Sequence, residues 1–196
     1  LSVSSPRLAE VIRRTAAHPG IGFVQADDGA ISGTLDGRAM CSRRRPLDEA
    51  RKLAGTIDVG GAAAVVVCGF GMGHHVGAML ERMAKTGVVF VFEPDTALLR
   101  TVLERADHSS WLSARSLIFL TDAEDSGAIA ESVRGCEGLL AMGVKFLEHA
   151  ADRARLGELS ARFQASFTAV YKAVRTTVVT TLMQSETTLR NLVMNL

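Results

Sequence analysis

Three stretches of the chain are apolar without alternation: AAAVVVC (62–68), VVFVF (88–92) and the LIFL of SLIFLTD (116–122), each bounded by glycine, proline or a polar residue. Runs of that length with no polar partner face predict strands buried on both sides, as in a parallel sheet covered by helices. Between them the period lengthens. Val76, Met79, Leu80 and Met83 recur at helical spacing and predict a helix of about three turns that closes at Gly87. Leu98, Leu99, Val102 and Leu103 predict a second helix, with Asp95 as its N-cap. Ile129 and Val133 mark a weaker third helix, and GLLAMGV (138–144) reads as a fourth strand. Strand and helix alternating with short connections is the pattern of right-handed βαβ units.

The flanks follow other patterns. Residues 6–17 place Leu8, Val11, Ile12 and Thr15 on one helical face, with Ser5 and Pro6 as start signals and HPG (18–20) as the stop. Asp28-Gly29 and Asp36-Gly37 divide residues 22–42 into three short runs, which predicts a small antiparallel meander. Residues 47–55 predict a brief helix ended by Gly55. After about residue 150, Leu156, Leu159, Phe163, Phe167, Val170, Val174, Val178 and Leu182 step by three or four, giving one long amphipathic helix or two in line. Leu189, Leu192, Val193 and Leu196 continue that pattern. The expected class is therefore α/β, a Rossmann-like parallel sheet with helices on both faces. The expected division is a helix and meander over 1–58, the sheet domain over 59–150, and a helical connector over 151–196.

Composition narrows the setting. In 196 residues, 22 basic side chains face 21 acidic ones, so no field selects nucleic acid or an anionic surface. The basic run CSRRRP (41–46) reads as a solvated face. Cys41, Cys68 and Cys136 are odd in number and far apart, which fits neither a disulfide framework nor a zinc site and points to a reducing, cytoplasmic setting. No apolar stretch reaches the roughly 18–20 residues of a membrane span. The chain begins without Met and stops inside an apolar period, as expected of a fragment of a longer protein.

The candidate chemistry sits at VVVCGFGMGHHVGAMLER (65–82). Gly69, Gly71 and Gly73 follow a buried strand and open a helix, where glycine lets a ligand approach and free N–H groups favour an anion. A dinucleotide fingerprint needs its third glycine at position 74, where this chain has His74, so that motif is broken. The G-x-G-x-G form resembles that of S-adenosylmethionine-dependent methyltransferases. On that reading Glu93, at the end of the next strand, accepts from ribose hydroxyls and Asp122, at the end of the third, lines an adenine pocket. The competing reading is purely conformational: a tight strand-to-helix turn needs glycine whether or not anything binds. His74 and His75 lack a third metal ligand and are expected to donate to loop carbonyls. The hydroxyl-rich run 175–189 is expected to bond back onto its own helix, and Trp111 to serve as a core or lid aromatic.

Three phrases taken in order, LDGRAMCSRRRPLDEARKLAG, VVVCGFGMGHHVGAMLER and FVFEPDTALLRTVLERADHSSWL, resemble the N-terminal domain of the motility accessory factor (Maf) flagellin glycosyltransferases. The shared features are Ser42, Pro46 with Glu49 and Ala50, the glycine turn with His74 and His75, and Glu93-Pro94-Asp95 before a leucine-rich helix; Arg45 departs from the family's acidic preference. The resemblance implies a bacterial protein that attaches nonulosonic, sialic-acid-like sugars to Ser or Thr of flagellin in the cytoplasm. It credits catalysis to an MptE-like domain, related to a hydroxymethylpterin pyrophosphokinase, which would follow residue 196. The present segment would then be non-catalytic, with flagellin and that MptE-like domain as partners and a homo-oligomer through the C-terminal helix as a further expectation. Gly69, Gly71, Gly73, His74, His75, Glu93 and Asp122 are the candidate ligand positions, and S-adenosylmethionine or a nucleotide sugar the candidate ligand.

Overall fold

The computed structural model describes residues 6–83 and 87–194, with side chains described as far as 185. Ser5, residues 84–86 that would lead the third helix to Gly87, and the side chains of Leu189, Leu192, Val193 and Leu196 lie outside that range.

The architecture is a four-stranded all-parallel sheet between helical layers, preceded by a three-stranded antiparallel meander and followed by a long helix. Chain order is α1 (Pro6–Arg14), β1 (Ile21–Gln25), β2 (Ile31–Leu35), β3 (Arg38–Ala39), α2 (Pro46–Gly55), β4 (Ala64–Cys68), α3 (His74–Met83), β5 (Val88–Phe92), α4 (Thr96–Arg105), α5 (Ser109–Leu112), β6 (Leu117–Leu120), α6 (Ser126–Ser132), α7 (Glu137–Met142), β7 (Val144–Glu148), α8 (Ala150–Leu156) and α9 (Glu158–Met194). The parallel sheet runs β6-β5-β4-β7. Its order reverses between β4 and β7, because β5 and β6 add on one side of β4 and β7 on the other.

Burial explains the unalternated runs. Every residue of β4 and β5 is buried. Val65, Val67, Val89 and Val91 enter a core with α2, α3 and α4; Ala64, Val66, Cys68, Phe90 and Phe92 enter the opposite core with α6, α7 and α9. There Phe92 stacks on Phe163 at 4.1 Å between centroids, and Phe90 meets Phe167 edge-on at 5.1 Å. Ile12 of α1, Met40, and Ala50 and Ala54 of α2 join the first core. The meander and first helices therefore pack on the sheet; α4 is tied to α1 where Arg100 Nη1 donates to Arg13 O at 3.2 Å, and to the loop after it where the Thr101 hydroxyl accepts from His18 N at 2.7 Å.

Local chemistry matches the elements. Leu35 pairs with Arg38 across Asp36 and Gly37, both at positive φ, as a two-residue hairpin turn requires. The Asp95 carboxylate caps α4 by accepting from Leu98 N at 2.8 Å. One expectation is corrected. Residues 138–144 are not a strand: Glu137–Met142 form α7, and the fourth strand is β7, Val144–Glu148. A short Leu-Leu run suits a helix or a strand equally, and β7 is an edge strand whose partly exposed positions carry Lys145 and Glu148. Gly143 separates the two at φ 133°, where any Cβ would lie 2.5 Å from the Gly61 carbonyl oxygen.

The C-terminal helical region divides at Gly157, whose φ of 48° interrupts the helix between α8 and α9. Phe163 and Phe167 anchor the start of α9, whereas Leu182 and Met183 are each 65% exposed. Along its outer half Thr176, Thr177, Thr181 and Ser185 each donate to the carbonyl four residues back.

Candidate functional site

In an open parallel sheet, ligands occupy the crevice outside the carboxyl ends of the strands where the order reverses. Here that crevice lies between the loop after β4, which is the glycine turn, and the loop after β7, which leads into α8. Gly69, Gly71 and Gly73 adopt φ of 98°, 48° and 78°, so the turn uses backbone that other residues rarely enter. Gly69 N donates to Phe92 O at 2.9 Å and Gly73 N to Phe70 O at 2.7 Å, which closes the turn before His74 begins α3.

The space the glycines leave open is filled by the protein itself. A Cβ on Gly69 would overlap the Cβ and carboxyl of Asp152, and one on Gly71 would lie 3.0 Å from Asp152 Oδ2. On Gly73 it would sit 2.9 Å from His108 Nε2, and on Gly77 2.6 Å from the Trp111 indole nitrogen. Helix α8 thus covers the first half of the turn, while α5 and the residue before it cover the second.

Glu93 is fully buried and its hydrogen bonds are used within the protein. Oε1 accepts from Asp95 N at 3.0 Å and Arg155 Nη1 at 2.9 Å; Oε2 accepts from Phe70 N at 2.9 Å and from Arg155 Nη2. These four bonds occupy the acceptor sites that two ribose hydroxyls would need. Burial pushes the Glu93 carboxyl up, against the opposing pull of Arg155 and the Phe70 amide. For Arg155, burial works to lower the guanidinium pKa, but Glu93 and Asp152 outweigh it and hold the pKa above its ordinary value. The bidentate geometry is that of a charged pair, and its guanidinium reaches Asp152 Oδ1 at 2.9 Å as well.

The other predicted positions are engaged in the same manner. His74 Nε2 donates to Ile31 O at 2.8 Å, tying the turn to the meander, and His75 Nε2 donates to Gly69 O at 3.0 Å, bracing the turn from within. Burial lowers the His75 pKa, against the opposing pull of Asp152. Asp122 accepts from Glu124 N at 2.8 Å and Asp125 N at 3.3 Å, which shapes the loop after β6.

Three residues that the sequence did not single out, Asp152 and Arg155 from α8 and His149 at its N-cap, complete the crevice together with Glu49 of α2. His149 stacks on His75 with 5.2 Å between centroids and an interplanar angle of 15°. Its Nε2 is 3.8 Å from Glu49 Oε1 and its Nδ1 is 3.6 Å from Asp152 Oδ2, distances too long for hydrogen bonds. His149 Nδ1, Asp152 Oδ2 and His108 Nε2 are buried without a partner. The Glu49 carboxylate also accepts from Ser42 N, which joins the loop before α2 to this cluster.

Two larger clefts flank the crevice. One, of about 560 Å³, lies between the β2–β3 hairpin and α8; the other, of about 500 Å³, lies between α2, α3 and α5 beside Trp111. Among the described residues no group of three or more His, Cys, Asp or Glu side chains is arranged to hold a metal ion, and no helix is long and apolar enough to cross a membrane. Cys41, Cys68 and Cys136 are free thiols, and burial pushes Cys68 up to about 11.

Fold and site together define a doubly wound α/β domain whose switch-point crevice is occupied by its own helix α8. No family model matches the chain and no curated protein matches it.

Proposed function

We propose that this chain is an accessory, non-catalytic N-terminal domain of a Maf-type flagellin glycosyltransferase, acting in the cytoplasm beside an MptE-like domain that attaches nonulosonic sugars to Ser or Thr of flagellin. The observation that carries the non-catalytic part is the filled crevice. Asp152 covers Gly69 and Gly71, and Glu93 spends its acceptor sites on Phe70 N, Asp95 N and Arg155. The order of the phrases from Ser42 through the glycine turn to Glu93-Pro94-Asp95 supports the family part. On this reading the glycine turn is a nucleotide-fold element turned to internal packing, and the domain serves its partners through its surfaces.

Calorimetric titration with S-adenosylmethionine and with a cytidine-monophosphate nonulosonic sugar tests the first part; neither should give heat of binding. Immobilised flagellin tests the second, and should retain the chain without acquiring sugar. Micromolar S-adenosylmethionine binding would instead establish the methyltransferase-like reading, with Glu93 freed from Arg155. Sugar transfer to flagellin by this chain alone would overturn the non-catalytic assignment.

A further inference from the structure

We propose that His149 is a proton-operated clasp: its protonated ring donates to Glu49 of α2 at one nitrogen and to Asp152 of α8 at the other, and so fastens α8 over the glycine turn. The ring lies between the two carboxylates. Its Nε2 is 3.8 Å from Glu49 Oε1 and its Nδ1 is 3.6 Å from Asp152 Oδ2. Nδ1 and Oδ2 are both buried and neither has a hydrogen-bond partner. A carboxylate can only accept, whereas a neutral imidazole carries one N–H and one lone pair. In either tautomer, one ring nitrogen therefore turns its lone pair toward a carboxylate oxygen. Only the imidazolium has an N–H for each, and a charged donor makes the stronger bond. The gap that His149 and Glu49 border with Met40, Cys41, His74 and His75 holds about 10 Å³, room for about one water, so no larger donor fits there.

The surrounding groups leave the proton to this ring. His75 of α3, stacked on it at 5.2 Å, is pushed by burial toward its neutral form and has Nε2 on Gly69 O. His74 has its Nε2 on Ile31 O. Burial pushes the Cys41 thiol up, which keeps it uncharged. Arg155 is the opposing cation, and it is bound to Glu93 and to Asp152 Oδ1. Glu49 accepts from Ser42 N through Oε2, which leaves Oε1 to the ring. The clasped form thus binds one proton more than the open form in the range where an imidazole titrates. Attachment of α8 strengthens as pH falls into that range and weakens as pH rises out of it. The proton thereby controls how firmly Asp152 covers Gly69 and Gly71.

The test is native-state amide hydrogen exchange of the whole chain at about pH 5.5 and about pH 8, each corrected for the intrinsic rate. Protection of the α8 amides, residues 152–156, should be about tenfold higher at the lower pH. His149→Gln should abolish this dependence. Glu49→Gln, at a side chain that is 41% exposed and keeps its acceptor for Ser42 N, should reduce it to about threefold or less. Should His149→Gln fail to fold, the Glu49→Gln result decides. Equal protection at both pH values would mean that the gaps are bridged by water, and would overturn the proposal. Protection that falls at the lower pH would overturn it as well, since His75 would then take the proton and push the stacked rings apart. Full pH dependence in either variant would place the titrating group elsewhere and equally overturn the clasp.

Discussion

Replacing Arg155 by Met tests whether α8 is locked into the crevice or merely rests there. The side chain of Glu93 has no exposure and that of Arg155 is 20% exposed, so the substitution strands one carboxylate in the core and takes the partner from Asp152 Oδ1. Removing one member of a buried pair costs about 3–5 kcal/mol, a large share of the roughly 5–15 kcal/mol that holds a domain folded. Glu93→Gln on its own exchanges one charged acceptor for an amide donor and leaves Phe70 N or Asp95 N without a partner, at about 1–3 kcal/mol. In the double variant the Glu93 charge is gone, while Asp152 still lacks its partner. The loss in the double variant should therefore fall below the sum of the single losses by on the order of 3 kcal/mol. Urea unfolding followed by circular dichroism supplies the midpoints and slopes. Should Arg155→Met fail to fold, Arg155→Lys keeps the charge without the bidentate geometry and should show an intermediate loss. A coupling below about 0.5 kcal/mol would mean that the two sites act independently and would refute the lock.

Gly77→Ala gains up to about 1 kcal/mol of helix propensity, but its Cβ would lie 2.6 Å from the Trp111 indole nitrogen. We expect a net loss of about 1–2 kcal/mol together with a shifted tryptophan emission spectrum; stabilisation with unchanged emission would show that α5 does not press on the turn. Burial, with the charge of His74 adding to it, lowers His108 from 6.5 to about 4. Its unfolded form therefore binds more protons in that window, and folding stability should drop as pH falls through it, by on the order of 3 kcal/mol in total. His108→Gln should flatten this dependence in urea unfolding compared at about pH 7 and about pH 5, and an unchanged slope would place the effect elsewhere. Asp95→Ala removes the cap on Leu98 N and should cost about 1 kcal/mol by the same measurement; no change would mean that water replaces the cap.

The parallel sheet was legible because β4 and β5 are buried on both faces, and such strands cannot disguise themselves with polar positions. The meander was legible because Asp36-Gly37 meets the positive φ demanded at both central positions of its turn. β7 was misread for the converse reason: as an edge strand it carries Lys145 and Glu148, while the Leu-Leu pair just before it belongs to a helix packed on α9. The glycine turn was visible as geometry, and its contents were not. Asp152 and Arg155 sit in a segment whose polar positions look like an ordinary solvated helix face, and their partner Glu93 lies about sixty positions away. The available signal was the clustering of His149, Asp152, Arg153 and Arg155 immediately after a strand, where a second loop at the carboxyl edge had to fall. The helix division after Leu156 had a plain marker in Gly157, which takes positive φ.

The filled crevice changes what a glycine-rich turn after a buried strand implies. The same absence of Cβ that admits a pyrophosphate admits an Asp side chain from the chain's own next layer, and the two uses exclude each other at Gly69 and Gly71. They differ in what the acidic residue at the end of the following strand is doing. In a nucleotide site that carboxylate must keep acceptors free for hydroxyls. Here Glu93 binds Phe70 N within the turn, Asp95 N at the next helix start and Arg155 from α8, and so fastens three loops of the carboxyl edge to one another. A ligand at this turn would have to displace α8, and with it the contact between Leu156 and the second core. Occupancy of the turn is therefore coupled to the attachment of α8.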